Sequence, residues 1–474
     1  MRIVERARAA LHRATAPSDT RRFDAAGGGP RWEGGKVFGR TNSETLGAAE
    51  LIRPRARHAV ANNGWAANGV ESIVTGLVGA GINPASQHPN RNTRRALDAI
   101  FRKWCRRADA DQRTDFHGLV AAAVRAMAVD GEGLLLTVET AEGPKLRLLP
   151  SELLDSSKTA NLPDGGYIVA GVEFGADGTR RAYWISPTKP TDEFATYAAP
   201  IRVDAADVIH LFNPIGAGQV RGISWLASVL LTLKDLDELT DALLVGQKVA
   251  AMVAGFVTDT NATGSLPFDG DQAGSILTSG LEPGTLKVLP SGYDIKFLSP
   301  QQAAGAIDFA KLTLRQIAAG LGVPQYLLDG DMSSANYSSL RASLVAFRQR
   351  LERVQFNILV PTLLDPVWRR VVVAAAIRGE IDLGEDVEDA LAVEWIMPAQ
   401  PWVDPSKDAD ATQKLLDMGL TSRRRAAAEL GWSVDELDAE RAADAEREKA
   451  LGLVAEKPAP TKNETISGGP TDGA

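Results

Sequence analysis

The sequence predicts an α+β fold, mainly helical, on three observations. Apolar residues recur at three- and four-residue spacing on both sides of the chain's middle. The period shifts to two between about Gly133 and Phe212. A Gly/Ser/Pro-rich stretch, 261–300, places a small β module between two helical segments. At 474 residues the chain can hold one large core or two to three domains.

Residues 1–47 are rich in Arg, Gly, Ser and Thr without lasting periodicity. They read as a basic, partly disordered arm, either solvated or gripping a neighbouring subunit. From Ala48 two helices are expected, broken at Asn62-Asn63-Gly64, the second with Val70, Ile73, Val74, Leu77 and Val78 on one face. Further helices follow at Asn92–Arg107 and Phe116–Val129. "GLLLTVET" with "KLRLLP" and "YIVAGVEF" with "RRAYWIS" read as two hairpins, and "DVIHLF" as one more strand of a β-meander.

A helix then spans Trp225–Val253. Leu226, Val229, Leu233, Leu236, Leu239 and Leu243 form its apolar stripe, and Asp235, Asp237, Glu238 and Asp241 make much of its remaining surface acidic. "TLKVLPSGYDIKFL", carrying Lys287, Ser291, Tyr293 and Lys296, reads as a hairpin turning at "PSG". A helix at Ala306–Ala319 is halted by Gly320, Gly322 and Pro324. The polar run "DGDMSSANYSS" precedes a long amphipathic helix, Ser338–Val360, with a stripe of Leu340, Leu344, Phe347, Leu351, Val354 and Ile358. Pro361 should kink or end it, with helix resuming to Gly379. Beyond Asp382 two or three short helices precede a disordered tail, 457–474.

Catalytic chemistry finds little support. Net charge is −8, so the chain as a whole is not a polycation built to grip nucleic acid. The single Cys105 excludes an internal disulfide and a cysteine zinc site. The histidines at 12, 58, 88, 117 and 210 form no metal-binding pair, and His210 reads as a core or edge residue of its strand. No phosphate loop or nucleophile elbow occurs, and "GAGQVRG" has the spacing of a plain strand-to-helix turn. Asp329-Gly-Asp331 opens like a calcium loop, but Leu340 stands where the closing Glu belongs, so a solvated tight turn fits better. We therefore expect no enzyme, no cofactor and no catalytic or metal site. No secretory leader is evident, and no run reaches the roughly 18–20 apolar residues of a membrane span.

Three segments resemble one family: "RARHAVANNGWAANGVESIVTGLVGAGI", "QVRGISWLASVL" and "GVPQYLLDGDMSSANYSSLRASLVAFRQRLERVQ" are closely similar to portal proteins of tailed phages, of the lambda type. The likeness extends more weakly from about Arg21 to Glu448. It implies a ring of about twelve subunits at one capsid vertex of a virion, assembled in the host bacterial cytoplasm, through which double-stranded DNA is packaged and ejected. Its implied partners are a large terminase, the major capsid or scaffold protein and a head–tail adaptor, with no membrane.

On that resemblance 48–224 is a wing, 225–253 and 304–322 are the stem helices, and 254–303 is a clip. Residues 323–337 are a tunnel loop, 338–420 the tunnel helix with its return to the wing, and 421–456 a crown. The loop would present Gln325, Asp329, Asp331, Ser333, Ser334, Ala335, Asn336 and Tyr337 to DNA. Arg341, Arg348, Arg350 and Arg353 on the tunnel helix offer either phosphate contacts or salt bridges to adjacent subunits. The acidic stem face either repels the duplex or is an ordinary solvated surface. The alternatives are a capsid or baseplate ring without a DNA channel and, less compatible with the missing motifs, a small-molecule enzyme.

Overall fold

The computed structural model describes residues 38–187, 199–252, the strands 256–259, 271–273, 276–278 and 293–296, and residues 303–333, 336–383, 387–400, 402 and 404–453. Helix α1 (Thr41–Asn62) starts earlier than the Ala48 expected, so 41–47 are helix rather than arm. The reason is tertiary. The Asn42 side chain donates to the Gly218 carbonyl (2.7 Å) and accepts from the Val220 N–H (2.9 Å). A distant loop thereby fixes the first turn, which propensity alone would leave frayed.

Asn63 breaks the helical path, and its side chain caps α2 (Gly64–Val78) by accepting from the Ala66 N–H at 2.9 Å. After β1 (Asn83–Ser86) come α3 (Arg91–Cys105) and α4 (Phe116–Val129), close to their expected bounds. The β region holds β2 (Glu132–Thr140), β3 (Gly143–Leu149), β4 (Ala160–Asn161), β5 (Tyr167–Val169), β6 (Val172–Phe174), β7 (Arg180–Ile185), β8 (Ile201–Asp204) and β9 (Val208–Phe212).

The single meander expected is corrected to two sheets, one in the order β3-β2-β9 and one running β4 to β8. "YIVAGVEF" is itself a hairpin, because Ala170 (φ 49°) and Gly171 (φ 84°) make a tight turn with both central residues left-handed. β9 leaves the meander to pair with β2, so Leu134 faces Leu149 on one side and His210 on the other.

Helix α5 begins at Leu230, not Trp225, and runs to Met252. Residues 225–229 are turns whose Trp225 N–H donates to the Ala128 carbonyl at 3.0 Å. The strands β10 (Phe256–Asp259), β11 (Asp271–Ala273), β12 (Ile276–Thr278) and β13 (Tyr293–Lys296) follow. β13 pairs with β10, a partner the sequence reading missed; the other arm and turn of the expected hairpin, 285–292, lie outside the described residues. The chain returns through α6 (Ala303–Leu321), a short α7 (Gln325–Asp329) and α8 (Tyr337–Val354).

Pro361 neither ends nor sharply breaks the long helix. Having no N–H to close an α-turn, it sits in a π-helical stretch, Gln355–Leu364, that leads directly into α9 (Asp365–Ile377). Then come α10 (Val387–Leu391), β14 (Val393–Ile396), which pairs antiparallel with β1, and α11 (Pro405–Asp417), α12 (Arg423–Glu429) and α13 (Val434–Ala450).

One apolar core joins α2, α4, the start of α5, the end of α6, α8 and α9; Leu77, Phe116, Leu226, Ile317 and Trp368 are all fully buried in it. A second, smaller core lies between the sheets around Leu134, Leu154, Val172 and Val208. Where they approach, Gly131 and Gly222 pass with no room for a side chain: a Cβ on Gly222 would stand 2.0 Å from the Gly131 carbonyl oxygen. Backbone cannot retreat there, so Gly222→Ala should destabilise the chain by about 3 kcal/mol. The check is a denaturation midpoint that drops while the m-value holds.

Candidate functional site

Glu132, at the first position of β2, is a carboxylate with 1 % exposure. Arg221 forks onto it, with Nε 3.0 Å from Oε1 and 2.9 Å from Oε2 and Nη2 also on Oε1. Arg53 of α1 adds a bond of 3.2 Å, His210 of β9 one of 2.9 Å through Nε2, and the Gly222 N–H one of 3.1 Å. The remaining Arg221 donors reach the carbonyls of Leu154, Ala170 and Ser151 at 3.0–3.2 Å. Burial alone would raise the Glu132 pKa. The Arg221 guanidinium and the His210 bond overcome it and hold the carboxyl well below the usual range. Burial also keeps His210 neutral, against the pull of Glu132. His210 is thus a ligand of a buried charge rather than a plain core residue. The "QVRG" run is the counter-charge that anchors the entrance to α5.

Part of the segment expected to be a flexible loop is helix, α7. Pro324 starts α7, and Gly330 (φ 73°) ends it. Asn68 of α2 donates to the carbonyls of Leu327 and Leu328, both at 2.8 Å, and Ser72 to Leu327 at 3.0 Å, so α2 caps α7 with side chains. Gln325 and Asp329, expected in the loop, lie in α7. Gln325 accepts from Arg315 at 3.0 Å and donates to Asp329 at 2.9 Å.

Asp331 accepts from the Ser333 N–H at 2.9 Å and pairs with Lys311 of α6 at 3.1 Å. The Ser333 hydroxyl and N–H, then Lys311, hold its carboxyl far below the usual range. Asn336 and Ser339 form a reciprocal capping box at the start of α8, with bonds of 2.8 and 3.0 Å. That Asn-x-x-Ser signal was legible in the sequence and was missed. Ser334 and Ala335 lie outside the described residues, and of Tyr337 only the helical backbone is described.

Of the tunnel-helix arginines, Arg341 pairs with Asp408 of α11 at 3.1 Å, within its own chain. Arg348 lies partly buried near Tyr326, whose hydroxyl burial pushes up in pKa. Arg350 lies over Gly322 (φ 69°), where burial and then Arg353 lower its pKa. Arg350 and Arg353 line a small cleft with Asn213 and Trp225.

On α5, Asp235, Glu238 and Asp241 are exposed, and Glu238 pairs with Lys234 at 3.3 Å. Asp237 serves the fold by accepting from Asn63 at 2.7 Å. Lys287 and Ser291 lie outside the described residues; Tyr293 and Lys296 are described only as backbone of β13. Among the described residues no group of three or more His, Cys, Asp or Glu could hold a metal, and no helix is long and apolar enough to cross a membrane.

The sequence profile described as phage portal protein, lambda family, matches residues 33–355. The chain belongs to that family. It is 24 % identical over 441 residues to a probable portal protein of Halomonas phage phiHAP-1, covering 89 % of this chain and 85 % of the relative. It is 23 % identical over 483 residues to portal protein B of Escherichia phage lambda, covering 90 % of each. A solved structure of the neck of an empty gene transfer agent particle, computed with C6 symmetry, aligns at 21 % identity and a TM-score of 0.42, over 83 % of this chain and 94 % of the other. The portal-family match takes in the whole Glu132 cluster and the α6–α8 corner, and stops before α9.

Three predictions follow from this geometry. Glu132→Gln leaves Arg53 and Arg221 buried without a counter-charge and should cost about 3–5 kcal/mol in equilibrium unfolding. In the wild type, the depressed Glu132 contributes stability above the ordinary carboxylate range that is lost as pH falls. An unfolded His210 also takes up a proton the folded one refuses, so stability should drop steadily from pH 7 to 4. Lys311→Ala should leave the denaturation midpoint nearly unchanged, since water screens the pair. It should nonetheless speed amide exchange at Ser333.

Proposed function

We propose that this chain is one subunit of a closed ring whose axial channel passes double-stranded DNA into and out of a capsid, with α5 and α6 as the stem and the corner between α6 and α8 as the channel lip. The observation that carries this reading is that corner, in a chain of the portal family: a short polar run flanked on one side by the Asp331–Lys311 pair and on the other by the capping box of a long helix. A lip of this kind gives a sliding duplex little to bind, since each phosphate neutralised adds affinity and drag.

Ring closure is supported by what one subunit leaves uncovered. Leu231, Leu244 and Val245 of α5 and Ile307, Phe309 and Leu312 of α6 are each 50–74 % exposed. An apolar surface of that extent belongs against a neighbour. The exposed Asp235, Glu238 and Asp241 suit a stem that keeps DNA centred by repulsion. The family is structural, so the force for packaging comes from a separate terminase ATPase docking on the β10–β13 module, later replaced by head–tail adaptors. About twelve subunits fit the reading.

Deleting Ser333–Asn336 should leave rings intact by light scattering while lowering the DNA packaged per particle. Normal packaging by the deletion would refute the lip's role. A protein that stays monomeric even when co-expressed with its capsid protein would refute the ring.

A further inference from the structure

Helix α3 is unusually basic. Seven Arg or Lys residues stand between 91 and 107, against the single acid Asp98. Arg91, Arg94 and Arg102 share one face, and that face is covered by the first turn of α13. Asp435 lies 3.6 Å from Arg91 and 3.3 Å from Arg94, and Glu436 pairs with Arg102. Another ion pair from this helical hairpin to the body joins Arg424 to Glu394 at 2.9 Å.

Three features make this a weak cover. Helices α12 and α13 bury only one residue, Ala427, so hardly any apolar contact holds them. Clefts of about 120 and 240 Å³ remain beneath them. The Arg94 Nε is buried there with no acceptor. Burial pushes Asp98, between these arginines, up to about 6, with Glu436 and Asp435 adding to it and the Ser86 N–H and Arg102 opposing. Asp98 is the one carboxylate that the helix itself sets among these arginines. Among the described residues, Arg95, Lys103 and Arg106 beside it make no ion pair.

We propose that the Arg91–Arg94–Arg102 face is a binding surface for the phosphate backbone of duplex DNA, and that the Asp435–Glu436 turn is its displaceable acidic cover. The choice of duplex rests on the channel reading above. The chemistry rests on three guanidiniums spaced along one helix, matched to carboxylates that occupy phosphate positions. Rising ionic strength loosens the cover, since it is held mainly by ion pairs that reach solvent.

The test is binding of a labelled 25-base-pair duplex of random sequence to the full chain. At low salt, Asp435→Asn/Glu436→Gln should bind about ten-fold tighter than wild type. Its salt dependence should be steeper by about two to three ion equivalents. Adding Arg91→Ala/Arg94→Ala/Arg102→Ala to that variant should abolish the gain. Unchanged affinity in the double variant, or a gain that survives loss of the arginines, overturns the proposal. Amide exchange in the wild type guards against misfolded variants: duplex should deprotect 434–450 and protect 91–105, and duplex bound with neither change also overturns it. Particles that package normally while showing neither effect would refute this surface and leave the channel reading standing.

Discussion

A buried carboxylate needs counter-charges and hydrogen bonds on every side, and Glu132 obtains them from three separate parts of the chain. Arg53 comes from α1, His210 from β9, and Arg221 and the Gly222 N–H from the turn leading to α5. Removing any one partner leaves charge in a low-dielectric interior, so these segments are fixed together or not at all. Arg221 extends the constraint outward through the carbonyls of Leu154, in the second core, and of Ala170 and Ser151, whose neighbours Val169 and Leu153 pack against it. The two cores are thereby locked at one angle, with the Gly131–Gly222 approach as the steric counterpart of the charge cluster.

The direction of α5 follows from this anchor. Leu226, Val229, Leu233 and Leu236 are buried against the body; Leu239 and Leu243 are half-buried; Leu244 and Val245 stand in solvent. The helix therefore leaves its own fold partway along, still apolar on one side. Helix α6 returns beside it, and α2 receives the chain by capping α7 with Asn68 and Ser72. Gln355 then ties the end of α8 to the Leu77 carbonyl at 2.8 Å. A projecting pair of helices and a corner between them are thus held by a body whose geometry is set elsewhere.

The sequence was most legible where periodicity was strong. The α4 bounds, the α2 face and the long helix after the polar run were all readable from apolar spacing. Family membership was also legible, because three spaced motifs stood in order. What escaped depended on partners far along the chain. The early start of α1 rests on a loop at 218–220, the pairing of β9 on β2, and the β1–β14 pair on segments some three hundred residues apart. At the corner, composition cannot show that Asp331 would pair with Lys311 or that Asn336 would cap the long helix. His210 and Arg221 gave no local signal of a shared carboxylate.

The central claim is that copies of this chain close into a ring with the α7–α8 corner innermost. A cryo-EM reconstruction of the assembled protein tests it most directly. The account predicts a closed ring, with residues 329–337 of each copy at the narrowest radius and the exposed leucines of α5 and α6 buried between neighbours. An open or unassembled form, or a ring with those corners on its outer rim, would contradict it.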